Sequence, residues 1–300
     1  MSRTILITGA TGRQGGAVIK ALHNTDFEIL ALTRNPSSPS AQKLASSSPN
    51  IKLVEGDLDN TEAVFKNAAS ATSNPIWGVY SVQAKPAGDL SIEETQGKSL
   101  IDASIAAGVK FFVYSSVDRG GEKSSDTPTD VPHWITKHHI EKYLEEKAAE
   151  TPMKYAIVRP VAFMENITND FAGKAMASMW QSALKDKPLQ LIATKDIGFF
   201  AAQAFMHSDE YAGRYISIAG AELTFDQANA IFKEKIGKDM PETYGFVAHL
   251  ALHAVKSVGN MFKYLKKSGT GADLQECRKI HPDLMDFGTW LEKESQFRKQ

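Results

Sequence analysis

Gly9-Ala10-Thr11-Gly12-Arg13-Gln14-Gly15 sets three glycines at GxxGxxG spacing directly after a short β-branched run. In such a loop the first glycine permits a tight turn. The second lets backbone N–H groups approach a ligand, and the third lets the following helix pack closely on the strand. N–H groups at a helix N-terminus carry partial positive charge, so the chemistry expected of Gly9, Thr11, Gly12, Arg13, Gln14 and Gly15 is capture of a dinucleotide diphosphate. A glycine-rich turn without a ligand has the same spacing. The strand–loop–helix setting favours the binding reading.

Thr33-Arg34-Asn35 closes the second predicted strand. An acidic residue there binds the ribose 2′-hydroxyl of NAD, whereas a cation accommodates the 2′-phosphate of NADP. Arg34 occupies the position and Arg13 can reach the same phosphate, each with a guanidinium fork that matches phosphate oxygens. NADP(H) is therefore expected as the preferred cofactor, with NAD(H) weaker. Gly56-Asp57-Leu58 follows the third strand. Asp57 can accept from an adenine amino group while Leu58 packs on the ring, and Asp57 can also cap a helix beginning near Asn60.

These residues need elements to position them. Thr4–Thr8, Glu28–Thr33, Ile51–Glu55, Trp77–Val82, Lys110–Ser116 and Tyr155–Arg159 are short apolar runs, continuous rather than alternating, as in strands covered on both faces. Helical segments lie between them, including Gly15–His23, Ser91–Ala107 and about Ile135–Ala149. The alternation predicts an α/β protein with a doubly wound parallel sheet. After Pro160 the rhythm weakens. Phe163–Leu184 reads as helical or irregular, Arg214–Ala219 as a strand, Thr224–Ile236 as a Thr-capped helix, Phe246–Lys267 as one amphipathic helix and His281–Lys293 as a short packed helix. The expected organisation is a nucleotide-binding domain over 1–160 and a smaller α+β substrate or partner lobe over 161–300, interleaved with an approximate boundary.

Composition narrows the function. With 300 residues, 42% of them hydrophobic and 23% charged, the chain can bury a sizeable core, which excludes disorder as its dominant state. The net charge of −1 gives no strong attraction to nucleic acid, so direct DNA or RNA binding is not expected. Cys277 is the single cysteine, which rules out an intrachain disulfide and a multi-thiolate zinc site. No apolar run reaches the ~18 residues of a membrane span, and the first residues lack the pattern of a signal peptide. A cytoplasmic or nuclear protein without membrane attachment is the expectation.

GATGRQGGAV, GDLDN and YSSV resemble the short-chain dehydrogenase superfamily, and HWITK at 133–137, RPVAFMEN at 159–166 and the closing HPDLMDFGTWLE resemble its NmrA-like branch. The resemblance spans essentially the whole chain. It implies either an NAD(P)H-dependent reductase of small conjugated carbonyls, quinones or imines, or an NADP(H)-sensing regulator that holds a transcription factor or other protein without turnover. In a catalysing member, a Tyr donates a proton, a Lys four residues later binds the nicotinamide ribose, and a Ser after the fifth strand polarises the substrate. Carried onto this sequence, the Lys is Lys137, with Glu141 completing the run, and the Ser is Ser116 or its neighbour Ser115. His133 stands where the Tyr is expected.

An imidazole can act as a general acid near neutrality. A neighbouring Lys137 cation favours its neutral form and makes it a weaker donor. Nucleotide binding survives the loss of the Tyr, and quinones need little protein acid. The run Tyr143-Leu144-Glu145-Glu146-Lys147 also fits YxxxK, but it lies late in its helix and reads as a chance match. The resemblance further places Pro160 and Phe163 at the nicotinamide face and Gln83 near the diphosphate and ribose. Core packing explains the first two almost as well, and a solvated loop explains the third. Met164, Met176, Met179 and Trp180 suit either a malleable pocket or ordinary core. His249 and His253 have metal-ligand spacing but no third ligand, so no metal is expected. Lys256–Lys267 reads as a solvated face.

Overall fold

A computed structural model of the chain describes residues 2–83 and 89–298, and for 246–249 and 251 the backbone alone. Its strands are β1 (Thr4–Ile7), β2 (Glu28–Thr33), β3 (Ile51–Glu55), β4 (Ile76–Ser81), β5 (Phe111–Ser115), β6 (Lys154–Pro160), β7 (Ala162–Phe163), β8 (Leu189–Ile192), β9 (Arg214–Ile218) and β10 (Ala221–Leu223). The helices of the first half are α1 (Arg13–Ala21), α2 (Pro39–Ala45), α3 (Thr61–Ala71), α4 (Ser91–Ala106) and α5 (Pro132–Ala149). Then come α6 (Phe171–Leu184), α7 (Thr194–Met206), α8 (Ser208–Tyr211), α9 (Phe225–Ile236), α10 (Gly245–Ala254), α11 (Lys256–Ser268), α12 (Leu274–Ile280) and α13 (Phe287–Lys293).

The chain divides into two compact units. The first comprises Met1–Ser116, Thr136–Val158 and Ile197–Ile216, and the second Val117–Ile135, Arg159–Asp196 and Ser217–Gln300. The expected doubly wound sheet is present, as seven strands in the order β3-β2-β1-β4-β5-β6-β9. Pairings from β3 across to β6 are parallel. The chain winds outward from β1 to β3 and then returns to place β4 on the other side of β1, so the carboxyl ends of β1 and β4 flank the reversal where such sheets bind ligands. Thr8 stitches that reversal: its hydroxyl donates to Val82 O and accepts from Val82 N, both at 2.8 Å. Leu6, Leu30, Val79, Phe112, Leu100, Ile140 and Ile157 are among the buried residues between sheet and helices, which explains why these strands are apolar on both faces.

In the second unit, β10-β8-β7 form a small sheet, antiparallel at β10–β8 and parallel at β8–β7. Its separate core gathers Met164, Met179 and Trp180 with Phe225, Phe232, Phe287 and Trp290. The Met-rich run is thus lobe core, with Met176 partly buried against it. Thr224 caps α9 through a reciprocal capping box with Gln227.

Several elements differ from the sequence reading. The helix expected over His281–Lys293 is only Phe287–Lys293, because His281 ends α12 and Asp286 caps α13. The helix expected from Ile135 begins at Pro132, because proline at the first helical position has a preset φ and needs no donor. Phe246–Lys267 is two helices rather than one, with Val255 extended at φ −101° and ψ 91°. Gly259 explains the break, because a Cβ there would lie 2.2 Å from Leu252 O, so α11 can fold back tightly onto the end of α10. β8 and α7 were not anticipated. Among the described residues no helix is long and apolar enough to cross a membrane.

Candidate functional site

The first turn of α1 is built to leave amides open. Gly12 is its N-cap and offers no capping side chain, and no acidic residue occupies the first turn. The N–H groups of that turn have no intrahelical carbonyl to reach. Gly9 sits at φ +58° and accepts from Gly12 N at 2.9 Å, which closes the turn. A Cβ on Gly15 would lie 2.4 Å from Gly9 O, so only glycine lets the helix start this close to the strand. The loop therefore presents backbone N–H groups that can receive a phosphate-sized anion.

Gln14 is fixed from behind. Its Oε1 accepts from Ser115 Oγ at 2.6 Å and from Tyr80 Oη at 3.4 Å. With that oxygen occupied, its amide N–H groups remain to serve a ligand. Tyr80 is fully buried, and burial raises its hydroxyl well above the ordinary tyrosine range, so it stays a protonated donor. Gln83 follows β4 and is 6% exposed; its Nε2 donates to Ser81 Oγ at 2.9 Å, while among the described residues its Oε1 has no partner. A buried orphan acceptor at the sheet reversal suits a ligand hydroxyl or amide. Ser116 is buried, and its N–H donates to Val158 O at 2.8 Å.

Arg13 and Arg34 are exposed, and neither enters an ion pair among the described residues. Asp57 caps the short turn Leu58–Asn60 by accepting from Asp59 N at 3.1 Å, while Asn60 caps α3. The expected capping role of Asp57 thus falls on the turn before the helix, because Asn60 is already in place. Leu58 is half-buried.

Lys137 is on α5 and is not a free cation. Its Nζ donates to Glu93 Oε1 at 2.6 Å, and Thr136 Oγ1 donates to Glu93 Oε2 at 3.2 Å. The ammonium stands 6.0 Å from the centre of the Tyr114 ring. Glu93, missed in the sequence, shares the buried face of α4 with Gly97, Leu100, Ile101 and Ser104. Helical phase alone carries that signal, since a carboxylate on an apolar face requires a cation.

A profile of the NmrA-like family matches residues 1–290. The chain belongs to the NmrA-like family. It is similar to quinone oxidoreductase 2 of Escherichia coli (strain K12), 27% identical over 258 residues that cover 85% of this chain and 82% of that protein. Its fold resembles Citrobacter sp. triphenylmethane reductase, solved with NADP(H), at TM-score 0.74 and 16% identity over 97% of this chain and all of the other. It also resembles NmrA, a negative transcriptional regulator solved with NAD, at TM-score 0.72 and 18% identity over 98% of this chain and 95% of that one.

The remaining NmrA-like motif residues lie in the second unit. His133, in the first turn of α5, is half-buried and edge-on to Trp134 at 5.9 Å. Pro160 O accepts from Asp118 N at 3.0 Å, which pins the chain after β6 to the segment after β5. Phe163 is half-buried on β7, in register with Ile192. In the closing HPDLMDF, His281 Nε2 lies 3.1 Å from Asp196 Oδ1, and Asp196 Oδ2 accepts from Met285 N at 3.1 Å.

Other sequence candidates take structural places. Tyr143 donates to both oxygens of Asp102, at 2.8 and 2.9 Å. Burial and then Asp102 push its hydroxyl up to about 12, which suits a fixed strut rather than a proton donor. Cys277 is buried, its thiol donates to Ser217 O at 3.5 Å, and burial raises it. Among the described residues no group of His, Cys, Asp and Glu could hold a metal, and the His249 side chain of the proposed pair lies outside them. Lys256, Lys263, Lys266 and Lys267 are exposed on α11.

Proposed function

We propose that this NmrA-like protein is an NADP(H)-dependent oxidoreductase that reduces a small conjugated carbonyl, quinone or imine, with NAD(H) a weaker cofactor. The observation that carries the cofactor assignment is the uncapped start of α1 packed against Gly9 O through Gly15. In this reading the amides of Gly12 to Gly15 hold the diphosphate, and the side chains of Arg13 and Arg34 hold the 2′-phosphate. Asp57 and Leu58 take the adenine, Gln83 Oε1 accepts from a ribose hydroxyl or the carboxamide, and Lys137 donates to the nicotinamide ribose. Pro160 and Phe163 bound the ring.

When bound, the reduced nicotinamide supplies a hydride. The chain itself orients the two reactants and moves protons. Ser116 polarises the acceptor oxygen or nitrogen, and His133 delivers a proton in place of the usual tyrosine. A quinone that accepts hydride gives a resonance-stabilised anion, whose proton can come from water or from His133. The similarity to quinone oxidoreductase 2 supports this acceptor class.

His133 at the donor position favours a second reading, an NADP(H)-sensing regulator whose occupancy changes a surface for a protein partner. One experiment separates the two. NADPH oxidation is followed with a panel of quinones, enones and imines for wild type, Lys137→Ala and His133→Ala. The reductase reading expects at least one acceptor to accelerate oxidation and Lys137→Ala to remove that acceleration. Tight NADPH binding with no accelerating acceptor gives the sensor reading instead.

A further inference from the structure

We propose that Glu93 is the positioning residue of the Lys137 subsite, holding its ammonium as a charge-matched donor for a sugar hydroxyl rather than as a free cation for phosphate. The inference rests on the reading of Lys137 as a ribose ligand. Four observations carry it. The Glu93 side chain is 3% exposed and that of Lys137 18%, so the 2.6 Å pair is largely withdrawn from water. Thr136, the residue before Lys137, donates to the other carboxylate oxygen, so the acid is held at both ends. A Cβ on Gly97 would fall 2.5 Å from Ile140 Cδ1, a close approach that brings α4 against α5 one turn beyond the pair. The adjacent Glu94 instead bonds Lys98 at 2.6 Å and His139 at 2.8 Å, which leaves Glu93 as the acid dedicated to Lys137.

The chemistry follows from the donor count. An ammonium has three N–H donors, of which Glu93 takes one. The others remain directed, because a paired lysine cannot sweep through its rotamers. Neutralised at contact distance, the pair has little attraction for a dianion, yet still donates to a hydroxyl. Without Glu93 the ammonium would lose its fixed direction and become a small anion site.

The test is a double-mutant cycle read by NADPH titration on Glu93→Gln, Lys137→Met and the double variant, with thermal unfolding of each. Glu93→Gln is expected to weaken NADPH about 5- to 10-fold in the wild-type background and less than about 2-fold beside Lys137→Met. Inorganic phosphate is expected to compete with NADPH more effectively in Glu93→Gln than in wild type. A loss that is equal in both backgrounds, no loss at all, or unchanged phosphate competition overturns the inference. Should Glu93→Gln fail to fold, Glu93→Asp, which keeps the charge but withdraws it by a methylene, is expected to show an intermediate loss that again vanishes beside Lys137→Met. If Lys137→Met binds NADPH as wild type does, the underlying reading of Lys137 fails. If Lys137→Met weakens binding and Glu93→Gln does not, only the role of Glu93 fails.

Discussion

Ser115 donates its hydroxyl to Gln14 Oε1 at 2.6 Å across 101 residues of sequence, which fastens the end of β5 to the first turn of α1. Under the proposed function the two adjacent serines at this strand end have different tasks, Ser115 orienting a loop side chain and Ser116 polarising the acceptor. Ser115→Ala should cost about 1 kcal/mol of stability, the usual worth of one such bond. It should also weaken NADPH by roughly 3- to 10-fold through a loosened Gln14. Ser116→Ala should leave NADPH affinity unchanged and lower turnover. Titration and steady-state kinetics on the two variants check this, and a reversed pattern would exchange the assignments.

Gly15→Ala should damage both fold and binding. Its Cβ would meet Gly9 O at 2.4 Å and Thr8 O at 2.6 Å, and neither backbone atom can turn aside. Overpacking of this kind costs about 1–3 kcal/mol. The same displacement misaligns the amides, so NADPH affinity should fall more than about tenfold. Gly12→Ala, with a 3.1 Å contact to the same oxygen, should do less. Denaturant unfolding and cofactor titration measure the two effects separately.

Arg34→Glu tests cofactor choice. The exposed guanidinium is replaced by an acid suited to a ribose 2′-hydroxyl and hostile to a 2′-phosphate. NADPH affinity should drop by roughly 10- to 100-fold, while NADH affinity holds or improves. Calorimetry with both nucleotides reads this directly, and equal losses would remove Arg34 from the phosphate subsite.

Acid stability should report Glu28, the first residue of β2. Burial raises this carboxyl, but bonds from Lys52, then Thr72, Thr4 and Asn74, outweigh that effect and hold it at about 2. A carboxyl whose value falls on folding stabilises the native state above its usual 4.5 and loses that contribution as pH drops towards about 2. Screening at Lys52, whose side chain is 44% exposed, limits the gain to about 1–2 kcal/mol. Glu28→Gln should therefore lower the melting temperature at pH 7, and the gap from wild type should narrow steadily below pH 4.5. A gap that is constant with pH would assign the effect to packing.

The half of the chain that carries the glycine loop is legible because its signals are local. β-Branched runs covered on both faces give strands, and Gly9, Gly12 and Gly15 announce a turn that other residues cannot make. Arg34 is a candidate from its offset alone, and the structure shows only that it is exposed. Glu93 is not legible in this way, because its partner lies 44 residues away and only the approach of Gly97 to Ile140 brings the two helices into register. The break at Val255 is equally hidden, since Gly259 matters through a contact with Leu252 O that no periodicity reports. β8 and α7 escaped because a fully buried strand followed by a helix with little polar face has no alternation to follow.

The ion pair between Glu93 and Lys137 has a consequence for drift among descendants of this gene. Replacing either partner alone strands a charge out of water, whereas replacing both with apolar residues of similar volume is nearly neutral for folding. Positions 93 and 137 are thus bound to change in tandem, and a homologue that has abandoned the lysine should have abandoned the acid with it.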